Sequence, residues 1–214
     1  MEKQLEEIEV FLKQLEDMAP TEIDEKYNEM ENLMPFHVLI LRDGLIHRVL
    51  DLSRSALEMY KNKNMIPGIV LTRSVFESVA LIYFLSEKVD KYLSDRNIKN
   101  LDNFLERSTL GSKNDDTEYE SINVLTAIDK LNRKYTGLRK LYNSLSEHAH
   151  PNWAGTFGSY IRLNENKNKL ILGPNSGTLA HIGLPPLIIA LAVFIFYYGK
   201  LKKDTNQLVE ACQE

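Results

Sequence analysis

Between Val75 and Leu85 the chain reads Val-Phe-Glu-Ser-Val-Ala-Leu-Ile-Tyr-Phe-Leu, apolar on nearly every side of a helix. A helix in contact with water keeps one polar face, so a segment with almost none must be enclosed by other elements. The stretch from about 67 to 92 therefore predicts the central, buried helix of a mainly α bundle. Pro67, just after the break at Asn64–Gly68, suits a first helical turn, where its missing N–H costs nothing.

The rest of the chain offers helices to enclose it. Leu5, Ile8, Leu12 and Leu15 recur at three and four residues with charges between them, an amphipathic helix with one face to bury. Thr21, Asp24 and Glu25 predict the cap and acidic first turn of a second helix, which would run to Leu33 and end at Pro35. From Phe36 to Asn62, Val38, Leu41, Leu45, Val49, Leu52, Ala56 and Tyr60 form one stripe. Asp43, His47, Asp51, Arg54 and Glu58 fall opposite, where water is expected. Shorter helices are expected at 101–107, 118–135 and 138–148, with 111–116 as a loop.

Tyr160–Leu163 and Lys169–Leu172 flank a polar turn like a small β-hairpin, near 157–172. The last apolar run, Ile182 to Gly199, carries no charge and reaches the lower edge of a membrane span. Pro185 and Pro186 interrupt its start, and the other apolar helices need a large partner. A core helix is accordingly the expectation, and a membrane is not an expected partner.

Residues 1–32 hold eleven acids against three lysines, whereas the remainder carries a net charge of plus four. The division expected is an acidic N-terminal helical arm, 1–33, and a bundle domain, 34–214. A pI near 5.8 lacks the basic footprint of a duplex-binding protein, so duplex DNA is not expected. A single cysteine, Cys212, rules out a disulfide framework or a cysteine-based zinc site, and no signal-like segment opens the sequence. A cytoplasmic location and no cofactor are the expectations.

Two charged residues fall inside the apolar pattern of the central helix. Arg73 and Glu77 lie one turn apart on the face of Val70, Ala80, Leu81 and Phe84, and charges buried without partners cost several kcal/mol. The expected partners lie in Tyr142-Asn-Ser-Leu-Ser-Glu-His-Ala-His-Pro-Asn152, where a helix runs out before Pro151. Arg73, Glu77 and His150 are the candidate catalytic residues, with Arg73 for an anion and His150 for a proton. Tyr142, Ser146, His148 and Asn152 are the candidate binding residues. The same groups serve equally as a clamp locking two helices. A metal held by Glu77, Glu147, His148 and His150 is a third reading, but His-x-His on a helix points its rings about 160° apart, and none is expected.

Arg73-Ser-Val-Phe-Glu77 followed by Tyr142-x-x-Leu-Ser146-x-x-x-His150-Pro151 resembles a family of uncharacterised bacterial all-helical proteins. These carry an Arg-x-x-x-Glu helix and a Ser-x-x-x-His-Pro helix end, and the likeness covers about 36–155. It implies that Arg73, Glu77, Ser146 and His150 share one site. A broader resemblance is to the HEPN superfamily of helical proteins in toxin–antitoxin and phage-defence systems, many of them RNases with an Arg-x4-6-His motif. Arg42-Asp-Gly-Leu-Ile-His47 has that spacing, although on a continuous helix the two side chains point about 140° apart. This resemblance implies a metal-independent RNase or nucleotide-binding protein, with RNA or a nucleotide as partner. The alternative is a non-catalytic interaction module that forms a homodimer through the N-terminal helix or a bundle face.

Overall fold

The computed structural model describes residues 1–24, 32–112, 114, 117–164, 168–175 and 179–213. Among them the chain forms eight helices and one two-stranded antiparallel sheet. The long helices are α1 (Glu2–Met18), α2 (Met34–Lys61), α3 (Met65–Asp95) and α8 (Ala180–Gln213). Shorter ones are α4 (Ile98–Thr109), α5 (Val124–Lys134) and α6 (Leu138–Ala149). A π-turn at Trp153–Phe157 and the single turn α7 (Gly158–Tyr160) lead into β1 (Ile161–Asn164) and β2 (Lys169–Leu172), paired with Leu163 opposite Leu170.

α3 is the centre. It packs against α2, α4, α5, α6 and α8, and Val75, Phe76, Val79, Ala80, Ile82 and Leu85 are essentially without solvent contact. The missing wet face of the sequence is thus matched by helices around most of α3, with Glu77 and Leu81 only partly covered. The close approach of α2, α3 and α8 turns on Tyr60, whose fully buried ring lies against Gly68 of α3 and Gly183 of α8. A side chain at either glycine would overlap that ring, and the Tyr60 hydroxyl finds Thr72 Oγ1 at 2.7 Å. Burial raises the Tyr60 pKa, so the phenol stays neutral and keeps that bond.

α1 is docked on the bundle: Ile8, Leu12 and Leu15 are buried against α2 and α8, and Arg54 of α2 reaches Glu16 at 2.8 Å. α8 extends beyond its charge-free run to Gln213. It buries Leu184, Leu187, Leu191, Phe194 and Tyr198, while Ile189 and Phe196 face outward. α3 and α8 are both long and apolar enough to cross a membrane by length and composition alone.

Several expectations need correction. The helix predicted from Thr21 to Leu33 does not begin at Thr21–Asp24, which are non-helical, and its Glu25 lies outside the described residues. Pro35, expected as a stop, instead sits in the first turn of α2, the position a proline tolerates. The helix predicted from 118 starts only at Val124, because Asn123 caps it by accepting from Leu125 N–H at 2.9 Å. Part of the 111–116 loop, residues 113, 115 and 116, lies outside the described residues, as does the hairpin turn at 165–167.

Candidate functional site

One turn of α3 and one turn of α6 place four side chains in a closed hydrogen-bond set. Arg73 donates from Nε to Ser146 Oγ at 3.0 Å and from Nη2 to the Tyr142 hydroxyl at 2.9 Å. Tyr142 passes its own proton toward Glu77 Oε1 at 2.9 Å, and Arg73 Nη2 stands 3.0 Å from that same oxygen. The spacing explains the match: Arg73 and Glu77 are four residues apart on one helix, and so are Tyr142 and Ser146 on the other, so two like faces meet. The Arg73 guanidinium also lies 5.3 Å above the Tyr142 ring. Desolvation raises the Tyr142 pKa, the bond to Glu77 adds to it, and Arg73 opposes it. The phenol is accordingly a neutral donor between an anion and a cation.

Burial here is partial. The Arg73 and Glu77 side chains keep 30% and 24% of their surface, so the pair sits at the rim of the core rather than within its apolar stripe as expected. Val70 on the same face is exposed as well. Two polar ends stay uncommitted: Arg73 Nη1 and Glu77 Oε2 have no hydrogen-bond partner among the described residues. Each residue opens on a different hollow. Arg73 and Tyr142 line a cleft of about 840 Å³ whose walls include Ser112, Thr117, Ser121 and Asn123. Glu77 lines a more apolar pocket of about 460 Å³ between α2, α3 and the segment leading into α5. Ser121 and Val124 belong to both walls.

The structure leaves three of the expected site residues outside the bonded set. His150 is where α6 stops. Its backbone is extended, its side chain is exposed, and that side chain makes no hydrogen bond among the described residues. The family resemblance implied that it shares the site with Ser146, but the backbone leaves the helix at this residue, ahead of Pro151. His148 bonds back to the Ser144 carbonyl at 2.8 Å, and Asn152 bonds Glu147 at 2.6 Å while capping Gly155. Among the described residues no three His, Cys, Asp or Glu side chains gather as a metal site. Just beyond, Trp153 stacks on Phe157 with ring centres 5.6 Å apart, and 75% of Trp153 is exposed.

The second arginine motif is built differently. Arg42 grips its neighbour Asp43 with two bonds, Nε to Oδ1 at 2.7 Å and Nη2 to Oδ2 at 2.8 Å, and Nη1 reaches Thr205 at 3.3 Å. Tyr198 donates to Asp43 Oδ1 at 2.8 Å. Asp43 was expected on the wet face, yet it is buried, because α8 covers that side of α2 and sets Tyr198 against it. His47 is exposed and meets the Pro20 carbonyl at 2.8 Å, and α2 runs unbroken through Gly44, so Arg42 and His47 point into different surroundings.

The residues that sequence reasoning missed are those lining the apolar pocket: Gly44, Arg48, Arg107, Ser121 and Val124. A glycine in mid-helix was the available signal for one of them. Compared with known protein families, curated proteins and solved structures, the chain matches none.

Proposed function

We propose that the protein binds a nucleotide, free or at the end of a single-stranded RNA, with Arg73 as the group that holds its phosphate. The observation that carries this reading is the guanidinium itself. Two of its nitrogens are fixed by Ser146, Tyr142 and Glu77, so the planar fork is pre-oriented, while Nη1 has no hydrogen-bond partner among the described residues and Arg73 lines a cleft large enough for such a ligand. Fixing the fork beforehand lowers the entropy lost on binding an anion. Glu118 and Glu120 on the cleft wall disfavour a second phosphate there but supply acceptors for ribose hydroxyls. The HEPN-like RNase implied by the sequence needs a proton-transfer group near that phosphate. The His150 side chain makes no hydrogen bond to the bonded set, so cleavage is an extension of binding rather than its premise.

The test is calorimetric titration of nucleoside monophosphates into the native protein and Arg73→Lys. Lysine keeps the charge but loses the fork, so affinity should fall roughly tenfold or more. Equal affinities in the two proteins, or no binding in the native one, would remove the reading. Cleavage of a fluorophore–quencher RNA that His150→Ala abolishes would extend it to an RNase.

A second reading, an interaction module in which the four residues only clamp α3 to α6, is supported by how fully they bond to one another. It expects Arg73→Lys and Ser146→Ala to lower the unfolding midpoint with no ligand effect, checked by thermal unfolding with and without nucleotide.

A further inference from the structure

Gly44 is the anomaly of α2. It lies near the middle of a 28-residue helix, where glycine is less stable than alanine, and its surroundings give no steric reason for it. A Cβ at Gly68 or Gly183 would strike Tyr60, but a Cβ at Gly44 would meet nothing within 4 Å. What it would meet is the space of the apolar pocket, since Gly44 is part of that pocket's wall. Packing therefore does not require this glycine, whereas a side chain much longer than alanine here would extend into the pocket.

The pocket has the composition of a small-molecule site. Its volume of about 460 Å³ lies within the usual range of about 300–1,000 Å³, and Leu41, Leu45, Leu81, Ile122 and Ala127 furnish apolar walls. Polar chemistry comes from Arg48, Arg107, Ser78 and Ser121, and from Glu77, whose Oε2 has no hydrogen-bond partner among the described residues. That oxygen can only accept a hydrogen bond, so it selects a ligand with an N–H or O–H donor. Glu77 is bonded to Arg73, which lines the neighbouring cleft, and the two hollows share Ser121 and Val124. One ligand touching both residues must combine a flat or apolar donor-bearing body with an anionic end.

We propose that the pocket beside Glu77 is a nucleobase compartment, kept open by Gly44, in which an amino-bearing base donates to Glu77 while its phosphate lies on Arg73. This deepens, and rests on, the reading of Arg73 as a phosphate-binding group. Apolar walls set with a carboxylate, hydroxyls and the guanidinium groups of Arg48 and Arg107 suit a base, because its faces are apolar and stack on guanidinium planes and its hydrogen-bonding groups lie on its edge. The ion pair then works as the hinge point between two recognition elements: Arg73 reads the phosphate and Glu77 reads the base. A leucine at Gly44 would project into the base compartment without touching the phosphate side.

The experiment compares AMP, CMP and GMP with ribose 5-phosphate, by calorimetry, on the native protein, Gly44→Leu and Gly44→Ala. The best of the three nucleotides should bind the native protein roughly tenfold or more tighter than ribose 5-phosphate, the size of one well-made apolar and hydrogen-bonded contact. Gly44→Leu should erase that difference, and Gly44→Ala should retain most of it while raising the unfolding midpoint. The proposal is overturned if no nucleotide exceeds ribose 5-phosphate in the native protein, a result that does not depend on any variant folding. It is also overturned if a folded Gly44→Leu protein keeps the full difference. Ribose 5-phosphate binding that still depends on Arg73 would leave the phosphate reading standing alone, whereas absence of all binding would remove both.

Discussion

Neighbouring helices carry two arginine–carboxylate pairs, and their surroundings set them apart. On α2, Arg42 and Asp43 line a smaller hollow of about 310 Å³ but retain only 7% and 9% of side-chain exposure, and Thr205 and Tyr198 take up further hydrogen-bonding positions of the pair. On α3, Arg73 and Glu77 are roughly three to four times more exposed, line larger hollows, and each has one polar atom without a hydrogen-bond partner among the described residues. The first pair joins α2 to α8; the second joins α3 to α6 and still has hydrogen-bonding capacity to offer. Residue type alone does not separate a structural ion pair from a recognition site. Unused donors and acceptors beside an accessible space do.

The contrast can be broken by mutation, most severely at the more buried pair. Asp43→Ala leaves a buried guanidinium without its counter-charge, and unfolding by urea should show a loss of about 3–5 kcal/mol. A loss below about 1 kcal/mol would mean that water reaches Arg42. Tyr198→Phe removes one bond to a buried carboxylate and should cost about 2 kcal/mol. The same variant has a pH signature. Burial, then the Asp43 charge, raises the Tyr198 pKa, so its contribution is complete below the ordinary phenol value of 10.0 and disappears as pH rises above it. Stability of the native protein should fall in alkali, and Tyr198→Phe should fall less steeply, as followed by denaturant midpoints across that range. Glu77→Gln is the mildest. Solvent already screens this pair, so stability should change by about 1 kcal/mol or less. A loss as large as that of Asp43→Ala would erase the distinction between the two pairs.

Much of this architecture can be read from residue order, for identifiable reasons. A helix apolar all round forces a bundle with that helix at its centre, and Val75–Leu85 occupies that place. The pairing of Arg73 and Glu77 with Tyr142 and Ser146 follows from two four-residue spacings and the cost of lone charges near a core. His150 did not follow, because the direction of a side chain just past a helix end is set by the backbone there, and the extended backbone at His150 leaves it exposed. Asp43 was misplaced for a related reason. Its side of α2 is covered by α8, whose first residue lies 137 positions later, and no local pattern encodes so distant a cover. The two hollows were equally illegible, since a pocket is where several segments fail to meet.

The exposed stack of Trp153 on Phe157 makes the chain's sole indole a local beacon rather than a global one. An indole already in water changes its emission little when the bundle melts, so intrinsic fluorescence should underreport unfolding that circular dichroism sees plainly. It is better suited to sensing events at the C-terminal end of α6, four residues before it, where quenching or a blue shift would register a molecule settling there without any attached dye.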